Sequence, residues 1–280
     1  GEAAEFARAT VSTLGQSVNL LSSILNAFNL DAIETERVAA ILFKTIELGR
    51  VRAEDMADTI GATAALASQA GVSLEEFSAS IAVATIQGVR FDSANTLMRN
   101  ILLKLLKPTD EMKVLFREWG VESGEAAIST FGFTGVLQKF SQELEKGGIG
   151  RLAESLQELR AIQGVVTLTN GNFEENFAKA LDKIGGSAAG AKVALEEYER
   201  AKAITQGSPG FKFDREQQQI KNIFTVDIGD RLLREFVRLS EATGGLGKSF
   251  QTLSDGVIAF VRSASISMEF GLNLVKNIQD

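Results

Sequence analysis

The 280-residue sequence contains no cysteine and no histidine. Those absences remove thiolate and imidazole metal sites, Ser-His-Asp and Cys-His nucleophilic catalysis, and any disulfide framework. Proline occurs twice and tryptophan and tyrosine once each, whereas Ala, Leu, Glu, Lys and Gln are abundant. With so few helix breakers, helices can run uninterrupted. No run of basic residues is long enough to form a nucleic-acid stripe, and the formal net charge of −7 opposes one. Direct nucleic-acid binding is therefore not expected. A membrane span needs roughly 18 consecutive apolar residues. The nearest approach, "GVIAFVRSASISMEFGLNLV" from Gly256, is interrupted by Arg262 and Glu269. The chain opens on Gly1 and its first methionine is Met56, which suggests a piece of a longer protein.

Helix punctuation dominates what is present. In "NLDAIETERVAAILFKTIELG", Asp31 and Glu34 have the spacing of a capping box. Val38, Ile41, Leu42 and Ile46 form one apolar stripe in that stretch, and Gly49 closes it. Ser73 and Glu76 repeat the pattern ahead of Phe77 and Ile81, with Gly88 as terminator. A helix from Asp92 through Leu97, Met98, Ile101, Leu102 and Leu105 stops before Pro108. Thr109 then caps a short helix that carries Met112, Leu115, Phe116 and Trp119. Residues 121–148 are glycine-rich and less periodic, with one amphipathic helix through Leu137, Phe140 and Leu144. "VVTLT" (165–169) has strand-like branching but no strand to pair with, so it reads as buried helix. Phe173, Phe177, Leu181 and Ile184 share a face, followed by an Ala-rich helix from Ser187.

The expected fold is all-α, a compact bundle of short-to-medium helices followed by elongated helices. Residues 1–30 read as an N-terminal helix, 31–206 as the core, 207–213 as a linker and 214–280 as an elongated helical segment. In that last segment Ile220, Phe224, Ile228, Leu232, Phe236, Phe250, Leu253, Val257 and Phe260 recur at helical spacing. A lone amphipathic helix must bury such a stripe, so this is the candidate oligomer or partner face.

"SEATGGLGKSF" (240–250) raises a catalytic alternative, because Ala242, Gly247, Lys248 and Ser249 fit a relaxed phosphate-loop pattern. A working phosphate loop joins a buried strand to a helix. Here "GDRLLREFVRLSEATGG" precedes it, charged every few residues and apolar at helical spacing. Gly244 and Gly245 thus end one helix, and Ser249 caps the next. Glu174–Glu175 and Glu196–Glu197 read as solvated helix faces, and Trp119 and Tyr198 as packing residues that could otherwise anchor a partner. No catalytic residue, cofactor or metal is assigned.

"LASQAGVSLEEFSASIAVATIQGVRFDSANTLMRNILLKLLKPTDEMKVLFREWGV" (66–121) resembles the core region of tailed-phage tail tape measure proteins. The elements "AGVSLEEF", "ATIQGV", "ANTLMRNILLKLLKP" and "FREWGV" come in the family's order. "LAESLQELRAIQGVVTLTNGN" (152–172), with Arg160 and Gly164, resembles a later element. Met98-Arg99 departs from the usual smaller or leucine-like pair. The resemblance spans about residues 31 to 206.

The resemblance implies a non-enzymatic virion protein of the tail lumen and tail tip, present in the host cytoplasm during assembly. Such a protein sets tail length, docks with tail tube and distal tail or tail tip proteins, and leaves ahead of the DNA. A homo-oligomer, a trimer by that resemblance, is the expected state, with membrane contact only through parts outside this chain. The alternative is a membrane-active helical module, resting on the amphipathic stretch 249–278, that assists genome entry through the host envelope. Lys248→Ala is expected to change stability by no more than about 0.5 kcal/mol. ATP or GTP binding lost on that substitution would restore the phosphate-loop reading.

Overall fold

Helix α6 (Leu74–Ile86) is the axis of the fold, because from Phe77 to Ala84 it has no wet face. Phe77, Ala79, Ile81, Ala82 and Val83 are all buried, and a helix apolar on every side must be enclosed. The computed structural model describes residues 1–171 and 173–207, and among these every regular element is helical. Before the axis come α1 (Glu2–Ala9), α2 (Leu14–Ala27), α3 (Thr35–Gly49), α4 (Ala53–Ala57) and α5 (Ile60–Ala70). After it come α7 (Phe91–Leu106), α8 (Asp110–Glu118), α9 (Gly124–Leu156), α10 (Leu159–Thr169), α11 (Phe173–Leu181) and α12 (Ala188–Gly207). Helices α3, α7 and α11 pack directly on α6, while α10 lies along α7 and α12 along α3.

The all-α expectation holds, including the helical reading of "VVTLT", which lies in α10. Residues 1–30 form two helices rather than one. Phe6 of α1 and Leu20, Leu21 and Ile24 of α2 belong to the same apolar core as α6, and Gly1–Gly207 forms one compact unit. Phe6, Phe77, Phe116, Phe133, Phe140 and Phe177 are each 0% exposed. Burying one such side chain stabilises by roughly 1.5–3 kcal/mol.

Several helix starts follow the local code. The Oγ atoms of Ser73 and Thr109 accept the N–H of Glu76 and Met112 at 3.2 and 3.1 Å. Thr13 and Gln16 form a complete capping box. The box expected at Asp31 and Glu34 does not form. A single 3₁₀ turn, Ala32–Glu34, delays the helix to Thr35, and Glu34 pairs with Arg37 at 2.7 Å instead. Nor does Gly49 supply the left-handed stop. It is the last helical residue of α3, where α6 lies so close that a Cβ would fall 2.6 Å from Thr85 Oγ1. The left-handed conformation passes to Arg50, at φ 53° and ψ 38°.

Helix α9 is longer than the sequence pattern implied and is bent twice. Gly132 (φ 69°, ψ 168°) and Gly148 (φ 65°, ψ −167°) hold backbone that is essentially open to glycine alone. The break at Gly132 frees N–H groups at a new helix start, and Glu76 of α6 caps them, accepting from Thr134 N at 3.1 Å. Across the second bend Arg151 Nε reaches the buried Glu143 at 2.5 Å.

At the start of α9, a Cβ on Gly124 would overlap the carbonyl of Leu105 in α7, which is backbone and cannot swing aside. Gly124→Ala is expected to cost about 1–3 kcal/mol, measured by urea denaturation. An unchanged midpoint would mean that α7 and α9 are not held at this separation.

Candidate assembly site

The stripe from Ile220 to Phe260 and the 242–249 motif lie outside the described residues, as do the 207–213 linker beyond Gly207 and the 214–280 segment. Within the bundle, the densest arrangement of polar side chains is the seam where α12 closes onto α1 and α3. Tyr198 and Lys202 stand one turn apart on α12, so both face the same neighbours. The Tyr198 ring is fully buried, packing on Phe43 and Phe6 with centroids 5.5 and 6.4 Å away. Its hydroxyl donates to Glu2 Oε1 at 2.6 Å.

Lys202 Nζ lies 2.5 Å from Glu199, 3.1 Å from Glu5, 3.4 Å from Glu2 and 3.5 Å from Glu36. Its side chain is only 8% exposed, so the ammonium needs these partners. Next to Tyr198 in the chain, Glu197 pairs with Lys44 of α3, which also holds Glu47 at 2.5 Å. Glu197 remains 39% exposed, so its solvated reading stands with the pairing to Lys44 added. Lys44 sits within the apolar stripe of its helix, three residues after Ile41. A lysine at core spacing is the one trace of this seam in the sequence, and it passes unread when only apolar positions are followed.

The electrostatics fix protonation states rather than create reactive ones. Burial works against charge on Lys202, but hydrogen bonds to Glu199 and Glu5 and the fields of Glu2 and Glu5 outweigh it and raise its pKa. Burial, then the hydrogen bond to Glu2, pushes the Tyr198 hydroxyl well above its ordinary value. Burial of Lys44 is likewise outweighed by Glu197 and Glu47, and its pKa is raised. The Lys44 and Lys202 hydrogen bonds hold Glu197 and Glu199 below the usual carboxylate range. None of these groups exchanges a proton near neutrality, as a general acid or base must. The seam can hold helices together. Among the described residues no cluster could bind a metal, and no helix is long and apolar enough to cross a membrane.

Most of this helical unit falls within a known sequence family. The phage-related minor tail protein family matches residues 1–159, which run from α1 to the first residue of α10. The chain belongs to that family. The match begins at Gly1, so α1 and α2 are part of the family region, which the sequence resemblance had opened only at residue 31. The tape measure protein of Pneumococcus phage Dp-1 is 32% identical over 110 residues, covering 39% of this chain and 10% of that protein. The probable tape measure protein of Escherichia phage P2 is 25% identical over 152 residues, covering 54% of this chain and 18% of that protein. The chain thus aligns with less than a fifth of either relative. No solved structure matches it. The resemblance to tape measure proteins is borne out, and family and relatives together make the chain a tail component.

Within this minor tail protein the seam ties the family region to α12, which lies beyond the matched residues. Lys202→Met would leave the carboxylates of Glu2, Glu5, Glu36 and Glu199 facing one another. The expected loss is about 2–4 kcal/mol, read by thermal unfolding, with Lys202→Arg closer to wild type. An unchanged melting temperature in the Met variant would mean that the seam is not formed. The pH dependence follows from the signs of the shifts. Glu197 and Glu199, lowered on folding, add stability above the ordinary carboxylate value of about 4.3, and it is lost as pH falls through their folded values. Lys44, Lys202 and Tyr198, raised on folding, add stability below about 10, and it is lost as pH climbs past their ordinary values. Stability should be flat from about pH 5 to 9 and fall on both sides. Melts across that range check it, and a steep slope inside the window would contradict these assignments.

Proposed function

We propose that this chain is a segment of a tail tape measure protein in which the 1–207 bundle is a docking and assembly head. The chain docks through it on tail tube and tail tip proteins, helps set tail length during assembly and is released when DNA is ejected. The reading is supported above all by one contact. Glu2 and Lys202, separated by 200 positions, are 3.4 Å apart. A continuous helix of 200 residues would hold those positions about 300 Å apart at 1.5 Å per residue. A bundle that returns to its starting point does not lengthen in step with its sequence, so it suits recognition better than measurement. The 214–280 segment is the complementary proposal, an elongated multi-copy helical bundle along the tube. Its stripe from Ile220 to Phe260 would pack between copies, a trimer by family resemblance.

In-frame deletions test the division of labour. Removing part of 214–240 is expected to give shorter tails that still assemble, seen by electron microscopy. Deletions within 66–121 are expected to stop assembly, because they remove α6 or the helices α5, α7 and α8 that share its core. Tails shortened in proportion by deletions within 66–121 would reverse the assignment of head and ruler.

A further inference from the structure

The turns that end α3 and α6 face each other across a cleft of about 310 Å3 and have related sequences. One carries Gly49-Arg50-Val51-Arg52 ahead of α4, and the other Gly88-Val89-Arg90 ahead of α7. Arg52 and Arg90 occupy the same place in the two turns, each in extended backbone immediately before its helix. Three arginines, Arg50, Arg52 and Arg90, thus line the cleft together with two aspartates, Asp55 and Asp92.

The three arginines are not equivalent. Arg52 is committed to Asp55 in a two-point pair, at 3.0 and 2.9 Å, and reaches Glu54 at 2.6 Å. Arg50 and Arg90 are exposed and make no close ion pair among the described residues, although the charge of Arg90 is felt at Asp55. Arg50 is presented by left-handed backbone, which a non-glycine residue adopts only at a cost. Val51, Val89 and the largely buried Phe91 line the same cleft and give it an apolar portion.

That combination selects one class of occupant. A guanidinium matches a carboxylate through two parallel N–H donors. A phosphate ion would use the cations but leave the apolar portion wet. A nucleic-acid strand would bring many phosphates against a chain whose net charge is −7. A short acidic segment escapes most of that repulsion, because charges more than about 8 Å away are screened at physiological ionic strength. We propose that this cleft binds an acidic peptide segment of another tail protein. Carboxylates of the segment pair with Arg50 and Arg90, and an apolar side chain between them rests on Val51, Val89 and Phe91. Asp92 rejects a segment with a carboxylate at every position, so the preferred ligand alternates acidic and apolar residues.

The inference rests on the bundle being a docking head. That reading is tested through tail length and assembly, whereas the measurement here is binding alone, so the two can fail separately. The probe is a fluorescent, end-blocked peptide of alternating Glu and Leu, titrated by anisotropy against the full 280-residue chain. Saturable binding is expected, weakened roughly tenfold or more in R50Q/R90Q and less in R50K/R90K, which keeps the charge but loses the fork. A Gln-Leu peptide should bind more weakly by a similar factor. Circular dichroism establishes that both variants are folded, and the lysine pair carries the test should the glutamine pair melt. Absence of saturable binding, equal binding by wild type and both variants, or displacement of the peptide by inorganic phosphate or duplex DNA would each overturn the proposal.

Discussion

One ammonium group, that of Lys202, holds carboxylates from three helices, α1, α3 and α12, and so joins the first and last described helices. Its energetic role differs from that of the rings beside it. Burying a charge costs several kcal/mol before any attraction is counted, so ion pairs of this kind add little net stability. The favourable free energy comes from the apolar side: Phe6, Phe43 and Tyr198 meet in one contact and need no exact alignment. The ions supply that alignment. An α12 slipped by one residue would leave Lys202 without its partners and the Tyr198 hydroxyl without Glu2. Hydrophobic burial closes the bundle, and the seam decides in which register it closes.

The same distinction separates what was legible in the sequence from what was not. Ser73 and Thr109 could be placed as caps because each bonds an N–H three residues away. The stripe of Met98, Ile101, Leu102 and Leu105 could be placed because helical spacing alone puts those residues on one face. The polar seam could not be foreseen, since Lys44 finds Glu197 at a separation of 153 residues and Tyr198 finds Glu2 at 196. Glycine was read rightly at Gly88, which is left-handed at φ 88°. At Gly49 the helix ends as expected, but the missing side chain serves as room for the neighbouring helix and the left-handed residue is Arg50. Local grammar specifies where helices begin; close approach between helices decides what their ends present to solvent. The candidate partner stripe from Ile220 lies outside the described residues, and within them polar chemistry gathers where no motif marks it.

Helix α9 carries this reasoning to the level of architecture. Its 33 residues would span about 50 Å if straight. The apolar residues Phe133, Val136, Leu137 and Phe140 would suit a rod as readily as a bundle. Two things turn it into a bundle element. Glycine makes each bend possible without strain from a side chain, and a carboxylate then makes each bend preferred. Glu76 reaches across from α6 to cap the helix restarted after Gly132, and Glu143 holds Arg151 across Gly148. Arg151 in turn reaches Glu118 of α8 at 2.8 Å, so the second bend is fastened to a different helix. Helix propensity therefore cannot say whether such a chain measures distance or folds back on itself. In this protein the choice rests on which glycines are allowed backbone that other residues avoid, and on whether a charged group elsewhere in the fold stands ready to hold the turn.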